Sequence, residues 1–148
     1  KGDNVTKGYE NNEEANKSSF INGWFRTGDQ GFFFFFFYLK ISGRLKEIIN
    51  RGGEKISPLE IDNVLMEHES IEQVVTFGVK DKMLGETIGV AIVIKKGAEC
   101  SEKEIRNYAR MHLADFKIPK HICFLDEIPK GATGKMQRIG LSKKLGLE

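Results

Sequence analysis

GRLKEIINRGGEKISPLEIDNVL, residues 43–65, is the run whose reading decides the fold. Glu47–Asn50 and Lys55-Ile56 have the short apolar character of strands, and Arg51-Gly52-Gly53 between them is a turn. Ser57-Pro58-Leu59-Glu60 then opens a helix. Ser57 is placed to cap it, Pro58 suits the first helical position, and Glu60 completes a capping box. Ile61, Val64 and Leu65 follow as an i, i+3, i+4 apolar stripe. A hairpin running straight into an amphipathic helix is the start of a mixed domain.

The pattern continues toward the C-terminus. Val74–Val79 and Ile88–Ile94 are β-branched strand runs, with a turn at Asp81–Gly85. Ser101-Glu102-Lys103-Glu104 is a second capping box, opening a helix to about Leu113. Phe116-Lys117-Ile118 is a connector ended by Pro119; His121–Leu125 reads as a short strand and Gln137–Leu145 as a final amphipathic helix. The expectation is an α+β domain over residues 45–148, with a three-stranded sheet, a hairpin and helices. Upstream, residues 1–19 are polar, with an exposed helical turn expected over Asn12–Lys17. Strands are expected at Trp24–Arg26 and roughly Gly31–Ile41, so this part is β-rich.

Composition narrows the functional classes. The 148 residues are 40% hydrophobic and 30% charged, which is a globular rather than a disordered balance. A net charge of +2 gives no overall field for nucleic acid, so any basic function must be local. Cys100 and Cys123 lie in unrelated segments without metal-ligand spacing, and an intracellular, reducing setting is expected. No signal peptide and no apolar run of spanning length is present. Lys1 stands in place of an initiator Met, which suggests a piece of a longer protein.

Two local features stand out. Phe32–Phe37 are six consecutive phenylalanines followed by Tyr38, a run that reads as a strand buried on both faces but is also an aggregation-prone window. No chemical role follows from it. Pro129–Arg138, by contrast, delivers one lysine on small residues, and Lys130 to Lys144 contains five Lys or Arg and no Asp or Glu. A cation on such a loop suits chemistry in which negative charge builds on a phosphate. Gly134-Lys135 resembles the end of a nucleotide P-loop, but Pro129 stands at the first glycine and Met136 at the Mg²⁺-binding hydroxyl.

Taken together, these motifs resemble the C-terminal part of the acyl-adenylate-forming superfamily, which includes acyl-CoA synthetases. The residues that carry the resemblance are Gly8-Tyr9, Trp24–Asp29, Gly43–Ile49, Gly52–Pro58, Ile61-Asp62, Phe116–Pro119 and Pro129–Arg138. Their texture is similar to free CoA ligases of the 4-coumarate and oxalate–CoA type. The resemblance implies that residues 1–44 are the tail of a large AMP-binding domain and 45–148 its mobile small domain. It implies an ATP-dependent ligase that makes an acyl-adenylate and then an acyl-CoA thioester, with ATP, Mg²⁺ and CoA as partners. A carboxylic acid would be its substrate, and the N-terminal domain of the same chain its structural partner.

The resemblance also implies roles. Lys135 would be catalytic, Asp29 and Arg44 would bind the ribose and phosphate of ATP or AMP, Lys46 would be the hinge, and Gly52 and Gly53 would meet CoA. No metal ligand is assigned. An ordinary turn aspartate, an exposed basic turn and a plain hairpin remain the alternative readings of Asp29, Arg44–Lys46 and Gly52-Gly53 respectively. An adenylation domain that loads a carrier protein, or a non-catalytic module of the same fold, remain alternative functions. Alone, the 148 residues are expected to be inactive. A cytoplasmic or peroxisomal home is expected, although Gly146-Leu147-Glu148 is not a Ser-Lys-Leu signal.

Overall fold

An asparagine cap starts the regular structure. In the computed structural model, which describes residues 1–35, 37–131 and 134–147, the Asn12 side chain accepts from the Ala15 amide at 3.0 Å and opens α1 (Glu13–Ser19). Phe36, Ala132, Thr133 and Glu148 lie outside the described residues. Part of the phenylalanine run, the middle of the Lys135 loop and the end of the C-terminal tripeptide fall there.

The chain divides into two compact units, Lys1–Leu45 and Lys46–Glu148. In the first, β1 (Phe20–Ile21) and β2 (Trp24–Phe25) pair across Asn22-Gly23, both at positive φ, as a tight hairpin requires. Asn16 on α1 bonds both the amide and the carbonyl of Tyr9 (2.6 and 2.8 Å). This brings the Tyr9 ring against Phe20 and Phe25, with centroids 5.1–6.5 Å apart.

A second hairpin joins β3 (Asp29–Phe34) to β4 (Tyr38–Arg44), pairing Asp29 with Arg44 and Phe34 with Tyr38. Here the structure corrects the sequence reading. The phenylalanines do not form one strand buried on both faces: Phe33 is 75% exposed and Phe37 91%. The described members of the run lie in β3 or in the turn that leads to Tyr38, and each is exposed. Phe37 takes a positive-φ position in the turn (φ 70°).

In the second unit β5 (Ile49–Arg51) and β6 (Glu54–Ile56) make the expected hairpin, with Gly52 and Gly53 both left-handed (φ 60° and 96°). Helix α2 (Pro58–Met66) follows. Ser57 sits at its N-cap, but its hydroxyl makes no capping bond, and the Glu60 carboxylate reaches Lys117 instead. The expected capping box is therefore absent from α2. In α3 (Glu102–His112) it is complete: Ser101 accepts from the Glu104 amide, and Glu104 accepts from Ser101.

β7 (Ile71–Asp81) and β8 (Gly85–Ile94) are antiparallel over ten residue pairs, and β9 (His121–Phe124) adds in parallel to the other edge of β8. The β5–β6 hairpin joins that same edge through Arg51 and Gly85. Three strands and a hairpin thus form one five-stranded sheet.

Alternation along β7 and β8 gives the sheet two buried faces. Ile88, Val90 and Ile92 meet Ile61 and Leu65 of α2 and Ile105 of α3. Phe77, Val79, Ala91 and Val93 meet Ile128 and Leu141 on the other side. Gly89 is required opposite Phe77 of β7, since a Cβ there would lie 2.8 Å from the Phe77 ring.

The final helix is shorter than the sequence suggests. Instead of Gln137–Leu145, only Leu141–Lys144 (α4) is helical. Gly140 at φ 77° sets its start, and the Arg138 side chain is drawn into the unit rather than lying on a helical face.

Candidate active site

Lys135 sits on a closed turn. Lys130 and Met136 form an antiparallel bridge, the Gly131 amide donates to the Lys135 carbonyl at 2.8 Å, and the Gln137 amide donates to the Pro129 carbonyl at 2.9 Å. Gly134 supplies the left-handed residue the turn needs (φ 75°). The Lys135 side chain is exposed, and its ammonium has no ion-pair or hydrogen-bond partner among the described residues. At the start of the turn, Lys130 is held by Glu127 at 2.7 Å.

The far end is held from inside. The Arg138 guanidinium donates to Glu47 Oε2 and Asp62 Oδ2, each at 2.9 Å, and to the Thr76 carbonyl. A planar fork of N–H groups suits three acceptors in different directions. Asp62 also accepts from the Thr76 amide at 2.7 Å. Burial pushes the Asp62 carboxyl above its ordinary value, a tendency that Arg138 and the Thr76 hydrogen bonds oppose. Arg138 also lines two clefts. One, of about 190 Å³, includes Lys46, Glu47, Lys80 and Glu86. The other, of about 370 Å³, includes Leu59, Met66, Gln73 and Met136.

Lys46 is the first residue of the second unit and lies exposed within a 3₁₀ turn, Leu45–Glu47. The Gly52-Gly53 turn meets the β7–β8 turn, where the Gly52 amide donates to the Leu84 carbonyl at 2.8 Å. That second turn is built on Asp81, whose carboxylate accepts from the Met83 and Leu84 amides and from Lys120. The Lys120 contact, with the two amides, holds the Asp81 carboxyl down at about 2.

In the first unit Asp29 and Arg44 face each other across the β3–β4 hairpin, with Nε and Oδ1 3.3 Å apart. Thr27 Oγ1 accepts from the Asp29 amide, and the Gly28 carbonyl accepts from Leu45. The pair therefore leaves one carboxylate oxygen of Asp29 beside a guanidinium, a combination able to accept from hydroxyls and donate to phosphate.

Sequence reasoning singled out Lys135, Asp29 and Arg44 through motifs and gave Arg138 no separate role. It missed Glu47 and Asp62 as acceptors of Arg138, because 91 and 76 residues separate them from it. It also missed that Tyr108 lies between His68 and His112, with ring centroids 4.9 and 4.5 Å apart. No group of three or more His, Cys, Asp or Glu among the described residues could hold a metal ion. Cys100 and Cys123 are free, and burial pushes both thiols up, away from the thiolate form. No helix among the described residues is long and apolar enough to cross a membrane.

Known proteins give this arrangement a context. The family model described as "AMP-binding enzyme C-terminal domain" matches residues 60–135. Oxalate–CoA ligase of Saccharomyces cerevisiae is 51% identical over 140 residues, covering 93% of this chain and 26% of that protein. Among solved structures, o-succinylbenzoate CoA synthetase (MenE) from Bacillus subtilis, in complex with the acyl-adenylate intermediate OSB-AMP, superposes with a TM-score of 0.88. It is 37% identical, over 95% of this chain and 29% of its own. ATP-bound MatB from Rhodopseudomonas palustris superposes with a TM-score of 0.89 at 33% identity, over 97% of this chain and 29% of its own. The chain thus spans about a quarter of the length of the curated relatives it matches.

Proposed function

The chain belongs to the AMP-binding enzyme C-terminal domain family, and from that premise we propose that it is the C-terminal part of an ATP-dependent, AMP-forming acyl-CoA ligase. In the first half-reaction a carboxylate attacks the α-phosphorus of ATP, the bond to pyrophosphate breaks, and an acyl-adenylate forms. In the second, the CoA thiol loses its proton and attacks the acyl carbonyl, and AMP leaves. Acid, ATP and CoA are the substrates. The pocket for the acid belongs to an N-terminal domain of the same longer chain.

One observation carries the reading: the Lys135 ammonium is exposed and unpartnered among the described residues, on a turn pinned at both ends. Phosphoryl transfer spreads negative charge over the α-phosphate oxygens and the departing pyrophosphate. A cation already positioned and free of competing partners stabilises that state more than the ground state. Asp29 accepts from the ribose hydroxyls, with Arg44 orienting its carboxylate and facing the phosphate side. Lys46 is the hinge whose backbone rotation withdraws Lys135 after adenylation. The Gly52-Gly53 turn, lacking side chains, then lies along the pantetheine arm of CoA. The described residues do not form a metal cluster, so Mg²⁺ is assigned to the substrate phosphates and no step is routed through it. A cytoplasmic or peroxisomal compartment goes with this chemistry.

Acid-dependent exchange of labelled pyrophosphate into ATP by the full-length protein, with AMP as the final nucleotide, tests the proposal. ADP and phosphate as products would overturn it.

A further inference from the structure

Arg138 is held by three acceptors on separate segments. Asp62 and the Thr76 carbonyl each take one N–H, from Nη2 and Nη1. The third contact, Nε to Glu47, reaches 91 residues back in sequence to the residue immediately after Lys46. That contact is shielded, with the Arg138 side chain 12% and the Glu47 side chain 21% exposed. Between Arg138 and Lys135 the backbone has little freedom, because Gln137 is bonded to Pro129 and Met136 is bridged to Lys130. The ordered path therefore runs from Glu47 through the guanidinium to the lysine turn, and it begins one residue after Lys46.

We propose that Glu47 and Arg138 form a positioning link that makes the Lys135 turn move as one body with residue 47, so that a torsional change at Lys46 reaches the lysine undamped. The inference rests on the ligase reading, since only there do Lys46 and Lys135 act on one substrate. Neither Glu47 nor Arg138 touches the reacting atoms; both act through Lys135. Were the contact a purely structural anchor, loss of Glu47 would lower stability and leave the rate of the folded enzyme untouched. A link to the residue after the hinge makes the rate, rather than the binding of substrates, sensitive to Glu47.

The test uses the full-length enzyme with Glu47→Ala, Arg138→Lys, the double variant and Lys135→Ala, assayed for adenylation by pyrophosphate exchange. Both single variants should lower kcat by about 10- to 100-fold, the cost of misplacing a reacting group by roughly 1 Å. KM for ATP and for the acid should stay within about twofold. The double variant should be no slower than the slower single, because both changes break one link. A Glu47→Ala enzyme with kcat within twofold of the parent overturns the proposal, as does a double variant whose loss is the product of the two. Should Arg138→Lys fail to fold, Glu47→Ala decides alone, since Asp62 and the Thr76 carbonyl still hold Arg138. Lys135→Ala separates the two readings. If it adenylates at the parental rate, the ligase assignment of Lys135 fails and takes the link with it. If it is slow while Glu47→Ala is fast, only the link fails.

Discussion

Lys135, Asp62 and Arg138 show what a single residue reveals before and after folding. A lysine among small residues is by itself a weak signal, and Lys135 stood out only with the ordered motifs that precede it; the structure leaves it exposed on a turn. Asp29 and Arg44 were legible only as parts of ordered motifs, and the hairpin then places them face to face. Asp62 was not legible as an ion-pair partner. On the sequence it sits inside the apolar stripe of α2, and nothing local indicates an arginine 76 residues away. Its burial makes it sensitive. Asp62→Ala should leave Arg138 without its most buried carboxylate partner, costing about 3–5 kcal/mol of stability. Denaturant melts of the protein check this, and a loss under 1 kcal/mol would mean the pair is a surface contact in effect.

At the scale of elements, strands and helices with a periodic pattern were read correctly, and errors fell where one residue overrides a pattern. The stripe of α2 and the capping box of α3 follow directly from local sequence. The last helix does not, because Gly140 turns left-handed and Arg138 is recruited inward. The phenylalanine run misled for another reason: strand burial depends on what packs above and below, which composition does not tell. Phe37 at φ 70° is a bulky residue in the left-handed region. Phe37→Gly should relieve about 1–3 kcal/mol of backbone strain, less about 0.5–1 kcal/mol of glycine entropy, and it removes a 91% exposed ring. The variant should melt higher and stay soluble to higher concentration; unchanged values on both counts would contradict the strain.

The β7–β8 turn makes a pH prediction. The Asp81 carboxyl is lowered from 3.8 to about 2 by Lys120 and two amides, so its contribution is complete above pH 3.8 and disappears as pH falls through about 2. Asp81→Asn should flatten the acid limb of stability in that window and leave the neutral-pH slope unchanged. Acid titrations that superpose in shape would show the carboxylate is not held by the turn. In the sheet, Gly89→Ala should cost about 1–3 kcal/mol through collision with the Phe77 ring, read as a lower melting temperature.

On the scale of the whole molecule, fold class and family were legible because several motifs occur in one order along most of the chain. The chain forms two compact units and spans about a quarter of its curated relatives. The identity of the acid was not legible, since no acyl pocket was read in these residues and pocket shape is not encoded in the nucleotide-directed motifs. The 148-residue chain alone should release no pyrophosphate from ATP with any acid, because the proposal places the acyl pocket in an N-terminal domain.

The most direct measurement compares pyrophosphate exchange by the full-length enzyme with that of its Lys135→Ala variant at saturating ATP and acid. Loss of a pre-positioned charge on the departing phosphate should slow exchange by about 10²–10³-fold, with thioester formation from pre-formed acyl-adenylate and CoA nearly unchanged. Equal exchange rates for the two proteins would contradict the account.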